Sequence, residues 1–385
     1  MPFFAAVPAQ ALRPFSQLDR PLEVIRQFTP NWFAVTMGTG VLALALAAFP
    51  WQLPGLLALA EGIWLLAVLL FGLFTGLYAA RWLLFFDEAR EIFAHATVSM
   101  SIGTIPMGLA TLINGLLLFG LPRWGAAVLP LALGLWWLDV AMALACGVLI
   151  PYLMFTRQAH RIDQMTAVWL LPVVAAEVAA ASGGLLLPHL AAGEHFRVLV
   201  ASYVLWAYSV PVALSLLVIL LLRLALHRLP ASMAASSWLA LGPIATGALG
   251  LLVLGNAAPA VFATHGLAGI GEIARGLGLL GALLLWGLGL WWLALAVLVT
   301  QRYAREGMPF NLGWWGFTFP LGVYALTTLR LGEALAAPFF TGLGAALVVL
   351  LVLLWLLVAS RTLAGAYRGS LFVSPCIAHL CRKVR

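Results

Sequence analysis

Long stretches of this chain carry no charge, and the charged interruptions come at regular intervals. Apolar runs lie at about 32–49, 56–80, 96–119, 124–151, 167–187, 196–223, 237–255, 272–299, 312–332 and 339–360. A helix of about 20 apolar residues spans the hydrocarbon of a bilayer. The pattern therefore predicts an all-α polytopic membrane protein with ten transmembrane helices. The runs are continuous rather than alternating, which excludes a transmembrane β-barrel.

The charges fall between the runs and set an orientation. Nineteen of the twenty Lys and Arg residues are Arg. Sixteen of them lie in the leader, in the loops after even-numbered runs (Arg81, Arg90, Arg157, Arg161, Arg223, Arg228, Arg302, Arg305) and in the tail. Four, Arg123, Arg197, Arg275 and Arg330, lie on the other side. That split places both termini in the cytoplasm. Residues 1–30 then form a cytoplasmic, interfacial leader with no signal-type core, 31–361 the transmembrane domain, and 362–385 a basic cytoplasmic tail.

Within the runs, prolines recur at Pro106, Pro172, Pro243 and Pro320, separated by 66, 71 and 77 residues. Each separation is one helical hairpin, and each proline has Gly or Ala neighbours. The first run has no central proline but carries Met37-Gly38-Thr39-Gly40. Runs two, eight and ten are instead broad Leu and Trp surfaces. Small residues allow close helix approach or leave room for a channel, whereas Leu surfaces suit lipid and neighbouring subunits. Five hairpins follow, with odd helices lining a central pore and even helices outside. Pro211, in the sixth run, departs from the rule. In the ninth run, Pro320 removes the bond to the Gly316 carbonyl, which hydrocarbon cannot satisfy. That run thus belongs beside a cavity, with Phe317 and Phe319 either facing it or filling the bundle core.

Composition excludes a soluble domain. The 385 residues are 64% hydrophobic and 9% charged, with mean hydropathy +1.07, against about 25% charged for typical globular domains. The net charge of +7 is accounted for by topology-setting arginines and does not indicate a nucleic-acid partner. Three cysteines make no disulfide framework, and Cys376, His379 and Cys381 lack a fourth metal ligand. No metal or cofactor is expected. H-E-x-x-H, G-x-S-x-G and Walker-type motifs are absent, so an enzyme is not expected.

The candidate pore lining is uncharged: Thr36, Gly38, Thr39, Ser101, Thr104, Pro106, Pro172, Gly183, Pro243, Thr246, Gly316 and Pro320. Hydroxyls and backbone dipoles bind an ion weakly, which suits rapid passage. The sign of the ion stays open; Arg123, Arg197, Arg275 and Arg330 at one mouth would concentrate anions. Asp139 and Glu177 are the deep acids. Intramembrane carboxyls are candidates for proton relay or ion binding. Asp139, on an even helix, reads as a structural fastener. Glu177, on an odd helix, is the candidate for proton coupling unless it is protonated or turned aside.

Phe28-Thr29-Pro30-Asn31-Trp32-Phe33-Ala34-Val35-Thr36-Met37-Gly38-Thr39-Gly40, running on to Phe49-Pro50, resembles the opening span of the tellurite-resistance/dicarboxylate transporter family. That family includes malate permeases, sulfite pumps and the plant slow anion channel. Trp314–Leu321 is similar to its ninth span, and Ser101–Gly108 to its third. The resemblance covers about residues 28–360. It implies a homotrimer with one pore per subunit, and a gating phenylalanine that falls on Phe319, with Phe317 as the alternative register. The long regulatory extensions of the plant channel have no counterpart here. The resulting expectation is an inner-membrane transporter of small anions, four-carbon dicarboxylates such as malate first. Efflux of sulfite or tellurite-type oxyanions, or a general anion channel, is the alternative, and a membrane scaffold or receptor is the reading from another class.

Overall fold

The computed structural model describes residues 14–377. Their regular elements are all helical, as hydrocarbon requires of a backbone that must satisfy its own polar groups. Ten α-helices among them have twelve or more residues. In chain order they are α1 (Phe33–Ala47), α2 (Leu56–Leu84), α3 (Thr104–Gly115), α4 (Leu129–Thr156), α5 (Leu171–Leu186), α6 (Ala192–Leu226), α7 (Leu241–Ala263), α8 (Ala268–Glu306), α9 (Phe319–Leu335) and α10 (Pro338–Arg368). Eight stretches of the described residues are long and apolar enough to cross a membrane, with Ser99–Thr156 counted as one and the 17-residue α9 left out. The expected domain boundary at 361 falls inside α10, which runs on to Arg368.

Burial alternates along the chain. The stretches holding α1, α5 and α7 are 78%, 94% and 83% buried, whereas those of α2, α6, α8 and α10 are 17% to 39% buried. The buried helices touch in cyclic order: α1 on α3, α3 on α5, α5 on α7, α7 on α9, and α9 back on α1. Glycine permits the closest of these approaches. A Cβ on Gly40 of α1 would lie 2.0 Å from Thr111 Oγ1 of α3, so no larger residue fits there.

The recurrent prolines do not kink continuous helices. Each lies in the first turn of its α-helix, Pro172 and Pro320 second and Pro106 and Pro243 third. There the missing N–H costs no helical bond. Ahead of each runs a 3₁₀ segment: Ser99–Gly103, Ala167–Leu170, Ala231–Ala240 and Leu312–Phe317. The sequence-based expectation of a proline in mid-helix above Gly316 is therefore replaced by a change of helix type between Phe317 and Phe319. α1 follows the same plan, after the 3₁₀ turn Pro30–Trp32. Prolines inside helices are Pro151 in α4, Pro211 in α6 and Pro259 in α7.

A second repeat ties the exposed helices to the buried ones through indole N–H groups. Trp64 of α2 donates to Leu112 O of α3 (3.2 Å), Trp136 of α4 to Ala179 O of α5 (2.8 Å), and Trp206 of α6 to Gly247 O of α7 (2.9 Å). Trp286 of α8 donates to Thr328 Oγ1 of α9 (2.9 Å), and Trp355 of α10 to Thr39 Oγ1 of α1 (3.1 Å). Every exposed helix thus fastens the next buried helix in the cycle. Lipid offers an indole N–H no acceptor, so each bond has no competing solvent partner.

The leader and the end of the chain are sewn together. Phe15 N donates to Tyr367 O at 2.7 Å and Gln17 N to Arg368 O at 3.0 Å. Trp32 stacks between Phe28 and Phe372, with ring centroids 5.8 and 4.9 Å away. The fully buried Arg81, at the end of α2, donates to Phe28 O and to Ser374 Oγ. Arg26 forms a two-pronged pair with Glu88 at 2.8 and 2.7 Å.

Candidate functional site

A cavity of about 540 Å³ lies among the buried helices. Its wall comes from α1, α3, α5, α7 and α9 and from the turns that follow α3 and α5; no residue of an exposed helix contributes. The lining positions follow helical spacing. On α1 they are Val41, Leu44 and Ala47, with Ala48 at its C-cap, on α5 Val178, Ala181 and Leu185, and on α9 Phe319, Val323, Leu326, Arg330 and Glu333. These run toward the C-terminal ends of the buried helices. Phe319 borders it from the first turn of α9, Arg330 and Glu333 from the later turns of that helix, and His189 from the turn after α5.

Elsewhere the wall is mostly aliphatic, with Thr111, Asn114 and Thr246 as its polar groups. Thr111 Oγ1 donates to Gly108 O at 2.8 Å. Thr246 Oγ1 and Asn114 Oδ1 are buried and have no hydrogen-bond partner among the described residues. Both belong to the lining, where they are disposed to bind water or an ion.

The two candidate gate residues are held differently. Phe317 is clamped edge-on by Trp238 (5.3 Å between centroids, 89°) and Trp314 (5.8 Å, 76°). Phe319 is equally buried, borders the cavity, and makes no ring contact of this kind among the described residues.

Of the candidate lining residues, Thr246 borders this cavity, as does the gate candidate Phe319. Ser101 and Gly316 are in 3₁₀ segments and Thr104, Pro106, Pro172, Pro243 and Pro320 in first turns, and none of the seven borders the cavity. Thr104 is spent on structure, its hydroxyl lying 2.9 Å from Pro30 O and 2.7 Å from Ser101 O. Thr36 Oγ1 donates back to Phe33 O at 2.7 Å. Thr39 accepts the Trp355 indole, so its hydroxyl is directed at α10. Gly38 and Gly183 are close-contact points: a Cβ there would strike Thr318 Oγ1 at 2.2 Å and Ser202 Oγ at 2.1 Å.

Asp139 and Glu177 are fully buried, and none of their carboxyl oxygens has a hydrogen-bond partner among the described residues. Glu177 precedes the lining residue Val178 but is not itself part of the cavity wall. Its neighbour Ser209 of α6 gives its hydrogen to Val173 O at 2.8 Å. The metal-ligand idea at the C-terminus rests partly on His379 and Cys381, which lie outside the described residues.

The four arginines expected to attract anions to one mouth are all paired. Arg123 binds Glu61 (2.6 Å), Arg275 binds Glu272 (2.6 Å), Arg330 binds Glu333 (2.9 Å), and Arg197 binds Glu194. Their long-range field is largely cancelled, and Arg330 alone among them borders the cavity. Sequence reasoning placed Arg330 at a mouth but missed Thr111, His189 and Glu333 as lining residues. Stepping along α9 from Phe319 by four, three, four and three residues reaches Val323, Leu326, Arg330 and Glu333, so the signal was present.

A family model described as voltage-dependent anion channel matches residues 27–363. The sulfite efflux pump of Arthroderma benhamiae is 39% identical over 352 residues, covering 90% of this chain and 93% of the relative. An uncharacterized transporter of Methanocaldococcus jannaschii is 28% identical over 357 residues, 92% of this chain and 98% of the relative. The malic acid transport protein of Schizosaccharomyces pombe is 24% identical over 346 residues, 86% of this chain and 77% of the relative.

Proposed function

The chain belongs to the voltage-dependent anion channel family, and from that premise we propose that it exports sulfite or a related small oxyanion through a neutral pore gated by Phe319. The family is one of anion transporters, and this is a multi-pass membrane protein. The observation that carries the choice of cargo is the 39% identity to a sulfite pump across nearly the whole of both chains. The malic acid transport protein is more distant, at 24% over 77% of its length, which reverses the sequence-based order of malate before sulfite.

In this reading the cavity is the outer half of the conduit and Phe319 its plug. All ten long helices cross the bilayer as five hairpins, with α3 and α4 separated by the irregular segment 116–128 and α9 extended by its 3₁₀ segment. The sixteen-to-four split of Lys and Arg supports cytoplasmic termini, so the cavity opens away from the cytoplasm, across a plasma or inner membrane. An anion leaving the cell passes the 3₁₀ segments, displaces the Phe319 ring, and meets the unpartnered Thr246 hydroxyl as its next donor. Donors without charge bind it weakly enough for release, and the aliphatic ring of Val41, Val178 and Leu249 keeps the closed state dry. Phe319 suits a moving plug better than Phe317 because no aromatic partner pins it. The leucine-rich outer faces are the natural contact for a trimer in lipid.

Purified protein in liposomes, assayed in parallel with sulfite, nitrate, chloride and malate, tests the cargo. Sulfite is expected to move fastest. A preference for malate would return the dicarboxylate reading, and failure to pass any anion would favour a scaffold or receptor.

A further inference from the structure

A second chamber, also about 540 Å³, lies beside the first and shares Leu185, His189, Arg330 and Glu333 with it. It runs sideways between the end of α5 and the later turns of α7, past Asn256. The mouth therefore forks, and the fork is built around one ion pair. Arg330 and Glu333 are the only Asp, Glu, Lys or Arg side chains on either chamber's wall. Their side chains are 50% and 65% exposed. Among the described residues the guanidinium makes one hydrogen bond, from Nη1 to Glu333 Oε2 at 2.9 Å. Its other N–H donors are left over at the junction.

We propose that this rim is an oxyanion-docking site, in which Arg330 presents its unused donors to the cargo and Glu333 weakens the docking enough for release. The proposal rests on the anion-transport reading above and adds to it where the cargo pauses. A guanidinium matches a small oxyanion with parallel N–H donors, where an ammonium would offer only a point charge. The His189 ring, on both chambers' walls, and the Asn256 amide, on the second's, are further polar groups there. Glu333 matters because an unopposed arginine would hold the departing anion too long, whereas a mouth without the guanidinium would offer it no forked donor on the way out. An exposed ion pair of this kind adds little to stability, so an anion can compete for the guanidinium and either residue can be replaced without unfolding the chain.

The test is the sulfite dependence of flux in liposomes for the parent, E333Q, R330Q and R330K, paired with melting in detergent with and without sulfite. Removing a carboxylate about 5 Å from a docked anion in a watery mouth should lower the half-saturating sulfite about fourfold in E333Q. Losing hydrogen bonds from a charged donor should raise it about tenfold or more in R330Q. R330K should fall between, since it keeps the charge and loses the fork. Half-saturation unchanged in both E333Q and R330Q would overturn the proposal. If the parent passes no anion, the transport reading fails by itself, and melting still decides the rim. A sulfite-induced rise present in the parent and absent in R330Q upholds the site; an equal rise in both, or none in either, overturns it.

Discussion

Replacing Thr39 by Val keeps the shape of the side chain and deletes the acceptor of the Trp355 indole. Thr39 is fully buried, and its Oγ1 lies 3.1 Å from Trp355 Nε1 across the α1–α10 contact. Among the described residues Thr39 Oγ1 is the acceptor of this indole, so Val leaves the N–H without its partner. Stranding a buried donor costs about 1–3 kcal/mol. Trp355→Phe removes the donor instead and leaves a hydroxyl able to turn to a helical carbonyl, a loss of about 0.5–1.5 kcal/mol. With both changes no polar group is stranded, so the double variant should be less damaged than the sum of the singles. The coupling should be about 0.6 kcal/mol or more, the scale of side-chain hydrogen bonds measured between membrane helices. Melting of the four proteins in detergent reads this cycle, and sulfite flux reads whether Thr39 touches the cargo. The expected result is a non-additive stability cycle with flux unchanged. Strict additivity would refute the indole strut, and altered anion selectivity in Thr39→Val would return Thr39 to the pore wall.

Two further outcomes follow from the same contacts. Glu177→Gln should keep the parent's pH dependence of flux, because Glu177 lies outside the cavity wall; a flattened pH profile would establish proton coupling through it. Arg81→Ala should loosen the leader and the residues after α10 together, since one guanidinium holds Phe28 O and Ser374. Losing a buried charged donor costs about 1.5–3 kcal/mol, read as faster proteolysis at both ends of the chain; cleavage at one end only would contradict the shared anchor.

The helices were legible because hydrocarbon leaves the backbone few alternatives, and arginine loops bounded the runs closely. The prolines marked the buried helices correctly, but their mechanism differs: Pro106, Pro172, Pro243 and Pro320 begin α-helices after 3₁₀ segments, which spacing alone does not distinguish from a mid-helix kink. A second repeat was in plain view in Trp64, Trp136, Trp206, Trp286 and Trp355, separated by 69 to 80 residues. It was passed over because tryptophan on an apolar helix resembles lipid-facing bulk, and only partner geometry shows the N–H turned inward. Assigning polar residues to a lining by helix, without the angle on that helix, set Thr39 beside Thr246, although one points at an outer helix and the other borders the cavity. The pairing of the mouth arginines was legible only in part. Their Glu partners lie three residues away in three cases, at Glu194, Glu272 and Glu333, but for Arg123 the partner is Glu61 on another helix.

Sulfite flux through Phe319→Ala, set against Phe317→Ala in the same liposomes, tests the central claim most directly. Phe319→Ala removes a ring that borders the cavity and should raise flux several-fold while the protein stays folded. Phe317→Ala empties a space between Trp238 and Trp314 and should cost about 3–5 kcal/mol of stability without opening the path. A Phe319→Ala protein no leakier than the parent, or equal leakage from the two variants, would contradict a conduit plugged at Phe319.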